Sequence, residues 1–248
     1  MTRIRPVAAL ATMLLLPVHH ALRLLPADPA RPANPSLPAL RSAAAVGGQK
    51  PRGRLFPPLH LGVLEGADRE QWNKPEQIMD ALKIADGSKV AEIGAGGGWF
   101  TVRLAHRVNQ NGVVYAEDVQ TEMLEAIRRR VQRENLTNVR TVLGTTKDSR
   151  LPHGLDAILI NGAYHEMENP VAVLKDAAES LKAQGRIGIV DYSPGAGGPG
   201  PDAEQRVDQD TVIKGAMAAG LQVISQEPVP PFMFMVVLGK PAAPRVPR

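Results

Sequence analysis

Between Val90 and Phe100 the chain reads Val-Ala-Glu-Ile-Gly-Ala-Gly-Gly-Gly-Trp-Phe. An apolar run that breaks into glycines and resumes as a helix-compatible segment predicts a strand, a tight turn and a helix. Glu92 stands two positions before the first glycine, so its polar tip can reach over the strand end while Val90 and Ile93 stay buried. Glycines at 94, 96, 97 and 98 let the backbone turn sharply and approach a ligand with no Cβ in the way. Such a turn builds a nucleotide-type pocket in an α/β fold.

From Leu55 onward, turn signals and apolar runs alternate at the spacing of βα units. A helical segment is predicted over Asp68 to Ala85, with Ile78, Met79 and Leu82 on one face. A first strand follows at Lys89 to Ile93 and a helix at Trp99 to Val108, stopped by Asn109 to Gly112. A second strand at Val113 to Glu117 precedes a helix from Thr121, as N-cap, to about Glu134. A third strand is read at Val139 to Leu143. The second half gives a strand at Ala157 to Ile160, a helix at Val171 to Leu181 and a strand at Arg186 to Val190. Gly195 to Pro201 reads as a mobile loop, followed by a helix near Asp208 to Ala219. The last two strands, Leu221 to Ser225 and Phe232 to Leu238, have no helix between them and carry Pro228, Pro230 and Pro231, which points to an antiparallel pair. The other strands show little alternation, as expected for a parallel sheet covered on both faces. The fold class is therefore α/β, a Rossmann-like doubly wound, mostly parallel seven-stranded sheet with an antiparallel C-terminal edge pair.

Charge is distributed unevenly. The first 54 residues hold eight Lys or Arg against one acid, Asp28, and eight of the 22 prolines. Removing that +7 from the net +4 leaves residues 55–248 at −3. Basicity thus belongs to the leader, and a nucleic-acid face on the folded domain is not supported. Arg3 and Arg5 precede an apolar stretch from Val7 to Val18, which resembles an export signal. A disordered Pro/Ala/Arg leader accounts for the same residues equally well. Membrane association enters only through this leader, and it sets an exported or tethered location against a cytoplasmic one. Cysteine is absent, which removes disulfides, thiolate zinc sites and a cysteine nucleophile. His165 and Glu166 are followed by Met167, Glu168 and Asn169, so no His-Glu-x-x-His pair is formed and no metal site is expected.

The ligand is narrowed by what the glycine run lacks. A dinucleotide fingerprint, Gly-x-Gly-x-x-Gly, needs a third glycine where Trp99 stands. None of Tyr115, Tyr164 or Tyr192 has a lysine four residues on, as a short-chain reductase would require. The phosphate loop and the Gly-x-Ser-x-Gly elbow are also missing.

With Glu92, Gly94, Ala95, Gly96 and Gly98, the run resembles motif I of the class I S-adenosylmethionine-dependent methyltransferases. Val114-Tyr115-Ala116-Glu117-Asp118 is similar to the family's second strand, which ends in the acid that binds the ribose hydroxyls. Asp156 to Glu166 resembles its fourth strand and following loop. Leu181 to Asp191 resembles the fifth-strand motif. The resemblance runs from about Trp72 to Lys240 and implies S-adenosylmethionine as the cofactor, with residues 55–241 as the methyltransferase domain, 1–54 as leader and linker, and 242–248 as a tail.

The resemblance implies that Gly94, Ala95, Gly96 and Gly98 accommodate the methionine moiety, that Glu92 faces its ammonium and that Asp118 accepts from both ribose hydroxyls. Glu117, where an apolar residue is usual, leaves open a one-residue shift in which it binds the ribose instead. The family's Gly-Asp-Ala after the third strand is here Gly144-Thr145-Thr146, so Asp148 becomes the candidate adenine ligand. Asn161, ending the fourth strand, is a candidate for the methionine end. His165 is the candidate general base because its ordinary pKa lies near working pH. Asp191 and Tyr192 are alternative acceptor contacts. Leu55 to Trp72, with Trp72 as an aromatic cover, and Gly195 to Pro201 are expected to shape the acceptor site. The acceptor is expected to be a small molecule. A nicotinamide-dependent oxidoreductase and a non-catalytic S-adenosylmethionine-binding protein are the competing readings. Oligomeric state is not legible.

Overall fold

The structure, a computed structural model, describes residues 55–242. The export-signal and leader readings of residues 1–54 lie outside the described residues. Seven strands form one sheet: β1 (Lys89–Ile93), β2 (Val113–Asp118), β3 (Val139–Leu143), β4 (Leu155–Asn161), β5 (Leu181–Tyr192), β6 (Gln222–Val229) and β7 (Met233–Gly239). Their order is β3-β2-β1-β4-β5-β7-β6. Strands β1 to β5 pair in parallel, while β7 pairs antiparallel with both β5 and β6. The predicted fold class is the one observed, down to the antiparallel edge.

Six helices pack on this sheet: α1 (Arg69–Asn73), α2 (Pro75–Ala81), α3 (Trp99–Val108), α4 (Thr121–Arg133), α5 (Pro170–Ser180) and α6 (Gln209–Ala218). Successive strand residues project to opposite faces, and the core divides accordingly. Val90, Leu159, Val190, Met235 and Val237 meet Leu104, Phe100, Met79 and Ile78 on one face. Ala91, Ile158, Ile160, Ile189 and Val236 meet Leu174, Ala177, Val212 and Ala216 on the other. Both faces being buried explains why these strands read as continuous apolar runs.

Local departures from the sequence reading have physical causes. The helix expected over Asp68 to Ala85 is two helices, broken at Lys74, whose φ of 51° is left-handed. Pro75 disfavours helical backbone in the residue before it, so the chain restarts there with proline in the first turn. Thr121 opens α4 rather than capping it; the extended N-cap residue is Gln120. Strand β5 starts at Leu181, directly after α5, because Leu181 pairs with Leu155 ahead of a register irregularity.

Trp99 begins α3, and its ring lies 3.5 Å from the Arg103 guanidinium and 4.3 Å from that of Arg69. These cation–π contacts pack α1 against the start of α3. A bulky residue therefore occupies the position that a dinucleotide fold reserves for glycine.

Candidate functional site

The strand order reverses between β1 and β4, and the crevice at such a switch point lies beyond the carboxyl ends of the strands. A cleft of about 910 Å³, counted out to its mouth, opens there. Gly94 and Gly96 line it together with Glu117, Asp118, Val119 and Gln120.

The turn after β1 depends on glycine at one position above all. Gly94 has φ 72°, and a Cβ there would stand 2.5 Å from Ala163 Cβ, so a side chain would be blocked by both backbone and neighbour. The next amide, Ala95 N–H, donates to Glu117 O at 2.9 Å and closes the turn against β2.

Asp118 ends β2 and is buried. Its Oδ2 accepts from Gly96 N–H at 2.9 Å and its Oδ1 from Gln120 N–H at 2.9 Å. Each oxygen keeps a lone pair for further donors. Burial raises the Asp118 pKa, against the lowering effect of the Gln120, Gly96 and Val119 backbone amides.

The other candidates are placed less uniformly. Gly98 starts α3 with a left-handed φ of 79°. Glu92 is buried beneath the turn, where Thr101 Oγ1 donates to its Oε2 at 2.5 Å. Burial pushes the Glu92 carboxyl up to about 7. Asn161 exchanges two amide hydrogen bonds with buried Asn73, at 2.9 and 3.1 Å, so its side chain is committed to α1. Asp148 is exposed, and its Oδ1 accepts from Arg150 N–H at 2.7 Å, turned into its own loop and not into the cleft wall.

His165 sits in a short 3-10 turn after β4. Its Nδ1 lies 2.9 Å from Asp191 Oδ1, and its backbone N–H donates to Asp191 Oδ2 at 3.1 Å. Nε2 faces Glu166 Oε1 at 3.7 Å. Burial alone would lower the His165 pKa, but the Asp191 hydrogen bond and the charges of Asp191 and Glu166 leave it raised. The ring stands edge-on to Tyr192, which in turn packs against Trp72.

Two hydrogen-bonded fastenings at the site escaped sequence reasoning, although the segment from Leu55 was expected to shape it. Leu55 and Phe56 line the cleft, and Phe56 is fastened across it: its N–H donates to Glu166 Oε2 at 2.8 Å and its O accepts from Gln120 Nε2 at 3.1 Å. Arg206 is buried and donates to four loop carbonyls, those of Ser193, Gly197, Pro199 and Pro201. Neither Gln120 nor Arg206 belongs to a motif, so neither carried a signal along the chain.

A family model described as a methyltransferase domain matches residues 90–185, which spans β1 through the start of β5. A solved S-adenosylmethionine-dependent methyltransferase from Aquifex aeolicus superposes with a TM-score of 0.71 at 25% identity, covering 74% of this chain and 98% of that one. Over this region the chain is similar to the class I S-adenosylmethionine-dependent methyltransferases. Among curated relatives of this chain, an uncharacterised methyltransferase of Mycobacterium tuberculosis is 31% identical over 134 residues, 53% of this chain and 51% of that protein. A protein-L-isoaspartate O-methyltransferase of Pyrococcus horikoshii is 30% identical over 117 residues, 46% of this chain and 50% of that protein. The chain thus spans about half the length of the curated relatives it matches.

Proposed function

We propose that residues 55–241 form a domain that binds S-adenosylmethionine and transfers its methyl group to a small-molecule acceptor. The observation that carries this reading is Asp118, whose two oxygens are fixed by the Gly96 and Gln120 amides beside a glycine turn open to the cleft. A carboxylate so held accepts from two vicinal hydroxyls without reorganising, as ribose requires. Gly94, Ala95, Gly96 and Gly98 leave room for the methionine moiety near the start of α3. Glu92 holds α3 to β1 through Thr101 and sets the level of that turn, and we assign its carboxyl, beneath the turn, to the ammonium end of the donor. Asn161 offers its backbone to the same end, its amide being taken by Asn73.

When bound, the donor supplies a methyl group already activated by a sulfonium, so positioning accounts for most of the catalysis. Asp191 fixes the His165 tautomer with hydrogen on Nδ1, which leaves the Nε2 lone pair, facing Glu166, to take a proton from the acceptor. Trp72 packs on Tyr192, which stands edge-on to the His165 ring, and we assign this aromatic group to a compact, partly apolar acceptor.

Calorimetric titration with S-adenosylhomocysteine and, separately, with NAD tests the reading. Binding of the first without the second is expected. Tight NAD binding with no S-adenosylhomocysteine binding would sink it.

A further inference from the structure

Glu117 is the second acid of the cleft, and nothing in the methyl-transfer reading uses it. It is 2% exposed, yet it is one of the residues that line the cavity. Its Oε2 accepts from Gly94 N–H at 3.3 Å. Its Oε1 lies so close over the Cα of Gly144 that a Cβ there would collide with it. The carboxyl therefore reaches across from β2 to the end of β3, beside Thr145.

That is the place where the family's acid is missing. Thr145 has no carboxyl, and its hydroxyl is already engaged by the N–H groups of Lys147 and Asp148 within the loop. Asp148 is exposed and turned toward Arg150. Adjacent residues of a strand project to opposite faces, so Glu117 and Asp118 flank the end of β2 and do not compete for one group of a ligand. Glu117 lines the cleft beside Asp118, together with the apolar side chains of Val119 and Met167, so a base attached to a ribose held by Asp118 would have Glu117 within its reach.

We propose that the Glu117 carboxyl reads the N1 and six-amino edge of the donor's adenine, in place of an acid after β3. The inference rests on the methyl-donor reading of the cleft. Adenine offers an acceptor at N1 beside a donor at its amino group, and a neutral carboxylic acid presents the matching donor and acceptor side by side. Oε2 receives the Gly94 N–H, so Oε1 is the oxygen that carries the proton. The surroundings favour the neutral form: burial first, then the charge of Asp118, push the Glu117 carboxyl up to about 8, against the Gly94 hydrogen bond. Asp176 of α5 and Asp148 of the loop act in the same direction, and Glu166 and Glu168 line the same cleft.

The test is calorimetric titration of S-adenosylhomocysteine into the full chain and into Glu117→Gln and Glu117→Leu. The amide keeps one donor and one acceptor, so Glu117→Gln should bind within about threefold of the wild type, whereas Glu117→Leu should lose at least about tenfold. From about pH 6.5 to about pH 9 wild-type affinity should fall relative to that of Glu117→Gln, because only the acid loses its donor. Wild-type affinity in Glu117→Leu, or parallel pH profiles for the wild type and Glu117→Gln, would overturn the adenine assignment alone. If Glu117→Leu does not fold, the pH comparison decides. Failure of the wild type to bind S-adenosylhomocysteine at all would overturn the donor reading and this inference with it.

Discussion

Asp191 holds His165 at two points, accepting from its backbone N–H and from its Nδ1. The first bond fixes the turn after β4 and the second fixes the ring within it. A strand-end carboxylate thus determines both where the imidazole sits and which nitrogen is available.

This pairing predicts a pH profile. His165 acts as a base only when neutral, and its pKa is raised, so turnover should climb with pH through that elevated value. Asp191→Asn removes the charge, lowers the His165 pKa and should shift the acid limb of the rate profile to lower pH while reducing the maximal rate. His165→Ala should slow turnover by about a hundredfold and leave S-adenosylhomocysteine affinity unchanged. Initial rates from about pH 5 to 9, with binding measured in parallel, check both variants. Unchanged turnover in His165→Ala would remove the residue from the chemistry.

Arg206 predicts a stability effect far from any motif. Its removal leaves the Ser193, Gly197, Pro199 and Pro201 carbonyls without their shared donor. Arg206→Ala should cost roughly 2–4 kcal/mol in urea unfolding, and loop amides between 195 and 201 should exchange faster.

Fold stability itself should fall as pH rises. Glu92 and Glu117 are raised to about 7 and about 8, above an ordinary value of 4.5. Between the unfolded and folded values the folded protein binds more protons, so stability is present in full below about pH 4.5 for these groups and is lost as pH rises through about 7 and 8. Urea midpoints from about pH 6 to 9 should decline in the wild type and decline less in Glu92→Gln.

Much of the architecture could be read from the chain because its signals are local. Glycines at 94, 96 and 98 mark a turn that only such residues can make, and apolar runs at 89–93, 157–160 and 186–190 need both faces of a sheet to cover them. Asp118 stood out as a candidate because it ends such a run. Relations between distant residues were not legible. The Glu92 to Thr101 bond joins β1 to α3, the Asn161 to Asn73 exchange joins β4 to α1, and the reach of Glu117 to Gly144 depends on how β2 and β3 lie side by side. The same holds for Asp148: spacing made it a candidate, but the loop turn around Thr145 directs its carboxylate outward.

The central claim is that the glycine turn and Asp118 form the donor site, and titration of S-adenosylhomocysteine into the wild type and Asp118→Ala tests it most directly. The account predicts measurable wild-type binding that weakens at least about tenfold, or about 1.4 kcal/mol, in the variant. Equal affinity in the two proteins would contradict it.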